Sequence, residues 1–121
     1  MVEGREILVV EDEDDVREAI VAILTSEGYR VRSATHGAEA IDQLRAGLPV
    51  SLILLDLMMP TMDGWEFRVM QRQDPALAGI PVVVMSGYPA TRYKAAPLGA
   101  IDYLEKPVDA GALLGMAERY C

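Results

Sequence analysis

Apolar residues gather along this chain in five short runs, and between the runs they recur at helical spacing. The runs are Ile7 to Val10, a weaker one from Arg30 to Ser33, Leu52 to Leu55, Pro81 to Met85, and Ile101 to Leu104. They are rich in β-branched residues and read as strands buried on both faces. Between the first two, Val16, Ala19, Ile20, Ile23 and Leu24 repeat as on one helix face, with Asp14 as the cap and Gly28 as the stop. Ala38 to Arg45 carries Ile41 and Leu44 and ends at Gly47-Leu48-Pro49. Gly64 to Gln73 carries Trp65, Phe67 and Met70 and is closed by Asp74-Pro75. Asp109 caps a last helix holding Leu113, Leu114 and Ala117, whereas Pro97 interrupts Ala90 to Gly99 and makes a fourth helix there short or irregular.

Strand and helix thus alternate five times with short connections, the pattern of an α/β fold whose parallel sheet is covered by helices on both faces. In such doubly wound sheets ligands bind beyond the carboxyl ends of the strands, where strand order reverses. The polar residues at those ends are Glu11 and Asp12 after the first strand, Asp56 closing the third, Ser86 closing the fourth, and Lys106 just past the fifth. Singly, each has an ordinary explanation as a solvated loop, a turn cap or an exposed lysine.

Together, three carboxylates at one sheet edge repel each other and raise each other's pKa unless a cation intervenes. A hard divalent ion answers that need: Mg²⁺ takes a few carboxylates, a backbone carbonyl and waters, and a site without His or Cys suits Zn²⁺ poorly. His36 lies too far along the second strand-to-helix turn to be a ligand. A carboxylate on a metal, with an ammonium and a hydroxyl aimed at the same space, suits phosphoryl transfer, where positioning and charge neutralisation carry most of the catalysis. Asp56 is then the nucleophile and forms an aspartyl phosphate.

Composition narrows the picture. At 121 residues and 51% hydrophobic, the chain is expected to form one domain over residues 1–121, with a core that needs no staples. Nineteen acidic against eleven basic residues give a net charge of -8, which disfavours nucleic acid and anionic membranes. The one cysteine, Cys121, forms no disulfide framework, and the absence of a membrane-length apolar run or signal-like start implies a cytoplasmic location.

The segments ILVVEDEDD, LILLDLMMPTMDGWE, VVVMSGY and DYLEKP, in this order, resemble the signature segments of response regulator receiver domains over essentially the whole chain. The resemblance implies a flavodoxin-like five-stranded sheet in the order 2-1-3-4-5. It makes Asp12 a direct Mg²⁺ ligand, with Mn²⁺ an alternative ion, Glu11 an acid acting largely through metal-bound water, and Asp56 both ligand and phosphoacceptor. It adds the Met58 backbone carbonyl to the metal, places Ser86 and Lys106 on phosphoryl oxygens, and makes Tyr103 the aromatic switch. Pro107 would follow a cis bond that aims Lys106 inward, while Pro60 and Gly64 belong to the loop entering the third helix. Met58 and Tyr88, two residues beyond Asp56 and Ser86, would flank the hydrolytic water; neither orients it well, which implies a long-lived phosphoryl group.

The implied partners are a sensor histidine kinase or a histidine phosphotransfer protein and an unspecified output, with no direct nucleic acid or membrane contact. The chain would be a monomer or a weak, phosphorylation-dependent dimer. It could act alone, as a phosphorelay shuttle, or as a piece of a longer regulator or hybrid kinase. Two features depart from the family: Ser86 stands where Thr is common, and only twenty positions separate Ser86 from Lys106, with Pro97 between them. The alternatives are a pseudo-receiver serving only as an interaction module, disfavoured by the complete acceptor set, and an aspartate-nucleophile phosphatase, disfavoured by Met58 where a second Asp is required.

Overall fold

The computed structural model describes residues 6–47, 49–57, 64–87 and 99–121. In chain order the elements are β1 (Glu6–Val10), α1 (Asp14–Ser26), β2 (Arg30–Ala34), α2 (Gly37–Arg45), β3 (Val50–Asp56), α3 (Gly64–Gln73), β4 (Val82–Ser86), β5 (Asp102–Glu105) and α4 (Ala110–Tyr120). All five strands are parallel and ordered β2-β1-β3-β4-β5, as the sequence pattern and the resemblance imply. The irregular helix expected between Ala90 and Gly99 falls almost wholly outside the described residues.

Successive side chains of a strand point to opposite faces, and this divides the core in two. Ile7 and Val9 of β1, Leu52 and Leu54 of β3, and Val83 and Met85 of β4 meet Ile20 and Leu24 of α1 and Leu113 and Ala117 of α4. Their neighbours Leu8, Val10, Ile53, Leu55, Val82 and Val84 meet Ile41 and Leu44 of α2 and Phe67 of α3. The three central strands are buried on both faces, which is why they read as unbroken apolar runs.

The edge strands differ from the expectation of two buried faces. In β2 only Ala34 is buried, and Arg30, Arg32 and Ser33 are exposed; in β5 only Leu104 is buried. An edge strand has a neighbour on one side only, so polar residues there cost little and blunt further pairing.

Helix ends follow local chemistry. Gly28 (φ 91°) and Gly47 (φ 95°) occupy the left-handed region just beyond α1 and α2, which only glycine adopts without strain. Asp109 caps α4 as expected, its Oδ2 accepting from Ala112 N at 2.9 Å. Asp14 does not cap α1: the cap position is Glu13, and Asp14 lies in the first turn, paired with Arg17. The Glu13 N–H instead donates to Glu11 Oε2 at 3.1 Å, which shifts the start of the helix by one residue. Ala19, expected on the buried stripe, is exposed.

Candidate functional site

The ladder hydrogen bonds continue one step past several strand ends, and these extra bonds fix the polar residues beyond them. Glu11 N donates to Ala34 O at 3.1 Å, and Lys106 N donates to Ser86 O at 2.8 Å. Val10 pairs with Leu55 in the β1–β3 ladder, so Glu11 and Asp12 leave β1 beside the last residue of β3, Asp56, at the point where strand order reverses.

Carboxylate oxygens of Glu11, Asp12 and Asp56 lie within 4.8 Å of one another. Glu11 is fully buried, Asp56 is 2% exposed, and Asp12 is half-buried at the rim. Lys106 Nζ lies 2.5 Å from Glu11 Oε1 and 3.2 Å from Asp56 Oδ2, so one ammonium bridges the two buried acids. Burial by itself pulls the Lys106 ammonium down, but the Glu11 and Asp56 carboxylates outweigh it and hold its pKa above the ordinary value. Lys106 is therefore a firmly protonated cation facing the acids.

The donor atoms themselves indicate which ion they suit. Glu11 Oε1 is buried and, despite its ion-pair contact, accepts no aligned hydrogen bond among the described residues. Among the described residues Lys106 pairs with two of the three carboxylates, and the set consists of hard oxygens without sulfur or imidazole. Such a set fits Mg²⁺ or Mn²⁺ and does not fit Zn²⁺.

Of the other expected residues, Ser86 is buried at the end of β4, on the strand that pairs with β3. Tyr103 is partly buried on β5 against the α2/α3 cluster that also includes Trp65 and Met70. The Lys106–Pro107 peptide is cis, as the resemblance implied. Gly64 opens α3. Met58, Pro60 and Tyr88 lie outside the described residues.

Two residues near the site escaped the sequence reading. His36 caps α2: its Nδ1 accepts from Glu39 N at 3.2 Å, while Glu39 Oε2 accepts from Thr35 N at 3.2 Å and from Thr35 Oγ1 at 2.7 Å. Arg17 reaches back from α1 to the acidic turn, donating from Nη1 to Glu11 O at 3.0 Å and to Asp12 O at 3.5 Å. The only sequence signal for it was an arginine one turn into a helix that follows an acidic run.

The chain resembles known proteins over nearly its whole length. The family model for the response regulator receiver domain matches residues 7–118. The chain belongs to that family and is a receiver domain of two-component signalling. A crystal structure of a putative response regulator from Chloroflexus aurantiacus superposes with a TM-score of 0.89 at 30% identity, covering 96% of each chain. An uncharacterized 14.6 kDa protein from Leptolyngbya boryana is 36% identical over 96% of this chain and 89% of its own. Response regulator RR06 of Streptococcus pneumoniae is 41% identical over 84% of this chain but only 46% of its own length. The chain likewise spans less than half the length of several other regulators that it matches.

Proposed function

We propose that this chain, as a single domain over residues 1–121, accepts a phosphoryl group on Asp56 from a phosphohistidine of a sensor kinase or histidine phosphotransfer protein. The observation that carries this reading is the meeting of Glu11, Asp12 and Asp56 within 4.8 Å at the strand-order reversal, with Lys106 bridging Glu11 and Asp56. Glu11, Asp12, Asp56 and the Met58 carbonyl would hold Mg²⁺, Glu11 largely through water. When bound, Mg²⁺ offsets the carboxylate charge and that of the incoming phosphoryl oxygens.

The chain's own residues supply the rest. An Asp56 carboxylate oxygen attacks phosphorus in line with the departing imidazole nitrogen; the phosphorus–oxygen bond forms as the phosphorus–nitrogen bond breaks, and the imidazole leaves. Lys106 exchanges its contact with Asp56 for a phosphoryl oxygen, and the Ser86 hydroxyl donates to another. Ser86 thereby moves toward Asp56 and vacates space for Tyr103, which shifts an equilibrium between two surface states. Met58 and Tyr88 would leave the hydrolytic water poorly oriented; Met58→Asn with Tyr88→Glu should speed loss of phosphate about 10-fold, equivalent to about 1.4 kcal/mol.

A net charge of -8 supports signalling through protein partners rather than direct nucleic acid contact. Among the described residues no helix is long and apolar enough to cross a membrane, and we place the domain in the cytoplasm. Its oligomeric state would be a monomer or a weak dimer formed on phosphorylation. Intact mass after incubation with acetyl phosphate and Mg²⁺ tests the proposal. Gain of one phosphoryl group that is absent without Mg²⁺ and absent in Asp56→Asn is expected; equal labelling of the Asn variant would overturn it.

A further inference from the structure

We infer that Arg17 is a positioning residue for the metal site, fixing the direction of Asp12 by clamping the backbone of the acidic turn. This inference rests on the proposal that Glu11, Asp12 and Asp56 hold Mg²⁺.

The three acids are held in different ways. Glu11 has Lys106 on one oxygen and the Glu13 N–H on the other, and Asp56 has Lys106. Among the described residues the Asp12 carboxylate has no hydrogen-bond or ion-pair partner of its own. Its position is therefore inherited from its backbone, and that backbone is where Arg17 binds. Nη1 meets the carbonyls of Glu11 and Asp12 at 3.0 Å and 3.5 Å, fixing the two peptide planes on either side of the Asp12 Cα. Nη2 is held by Asp14 Oδ1 at 2.5 Å, and the Arg17 side chain is only 13% exposed, so the guanidinium is an ordered clamp rather than a solvated charge. Its planar fork reaches carbonyl and carboxylate together, which a lysine ammonium on a flexible stem does not reproduce.

Charge and geometry pull in opposite directions here, and that separates them. A positive side chain near the site opposes a divalent cation, so removing its charge acts through Coulomb's law to tighten Mg²⁺ binding. Removing a support that orients a ligand weakens binding, by about 10-fold or more for groups behind a metal's direct ligands. If geometry dominates, Arg17→Met and Arg17→Lys both bind Mg²⁺ about 10-fold more weakly than the wild type.

The test is calorimetric titration of the whole chain with MgCl₂, for the wild type, Arg17→Met, Arg17→Lys and Asp12→Ala, with metal-free melting curves of each. Weaker binding by both Arg17 variants in their folded state supports the inference. Binding as tight as or tighter than wild type in Arg17→Met overturns it, as does a lysine variant that matches wild type. A fall in melting temperature with an unchanged Mg²⁺ affinity also overturns it, since the role is then confined to folding. No binding by the wild type, or wild-type binding by Asp12→Ala, instead refutes the metal site and takes this inference with it.

Discussion

Asp12→Ala should stabilise the metal-free protein while abolishing most of its response to Mg²⁺. The Asp12 carboxylate lies within 4.8 Å of two other acids and, among the described residues, pairs with no cation. At such a separation two unit charges repel by about 3.5 kcal/mol at an effective dielectric of ~20, and by about 0.9 kcal/mol in bulk water. Asp12 is half-buried at the rim, so the lower part of that range applies to it. Lys106, which bridges the other two acids, offsets part of the repulsion. A net gain of about 1 kcal/mol remains, which for a domain of this size raises Tm by roughly 3 to 5 °C. Mg²⁺ at a hundredfold excess over its Kd stabilises a binding-competent protein by about 2.7 kcal/mol, and the variant forfeits most of that increment. Thermal denaturation by circular dichroism, with EDTA and with saturating Mg²⁺, measures both quantities. A variant that melts below the wild type without metal, or an equal rise of both proteins with Mg²⁺, would refute this expectation.

Two further outcomes follow from the contacts of single carboxylates and of Lys106. Hydrogen bonds from the Thr35 hydroxyl and N–H hold the Glu39 carboxyl below its ordinary pKa. The stability it contributes is therefore present above the unfolded value of about 4.3 and lost as pH falls through the lower folded value. Because solvent reaches Glu39, Glu39→Gln should cost at most about 0.5 kcal/mol at neutral pH and less in acid, below the unfolded value. Urea denaturation at both pH values checks this; a gap independent of pH would contradict it. Lys106→Met leaves two buried carboxylates without their cation and should destabilise the metal-free protein by about 3 kcal/mol. Mg²⁺ should restore more stability to this variant than to the wild type, and denaturant melts with and without the ion decide it.

The central strands were legible because burial on both faces leaves no polar residue to break the run, as in Leu52 to Leu55. The edge strand β2 was faint for the opposite reason: Arg30, Arg32 and Ser33 face solvent. Strand ends shifted by one or two residues, with Glu6, Ser51 and Ser86 inside their strands, because a backbone ladder continues regardless of side-chain polarity. Glu11, Asp12, Asp56, Ser86 and Lys106 were legible as a set because a parallel sheet delivers its strand ends to one edge. The supports behind them were not. Arg17 acts on carbonyls five and six residues earlier, and backbone acceptors have no residue identity to read. His36 is outside the usual capping residues, so its bond to the Glu39 N–H left no mark in the sequence. Asp14 read as a cap because Asp favours that position, but Arg17 and the Glu11–Glu13 contact set the start of α1.

Asp56, and no other carboxylate of the cluster, should become the acyl phosphate. Borohydride reduction of the phosphorylated protein converts an acylated aspartate to homoserine, and tandem mass spectrometry of the peptides locates it. Homoserine is expected at position 56 alone, dependent on Mg²⁺ during phosphorylation; a reduced side chain at position 11 or 12, or an unreduced Asp56 in protein that carries the phosphoryl group, would contradict the assignment of Asp56.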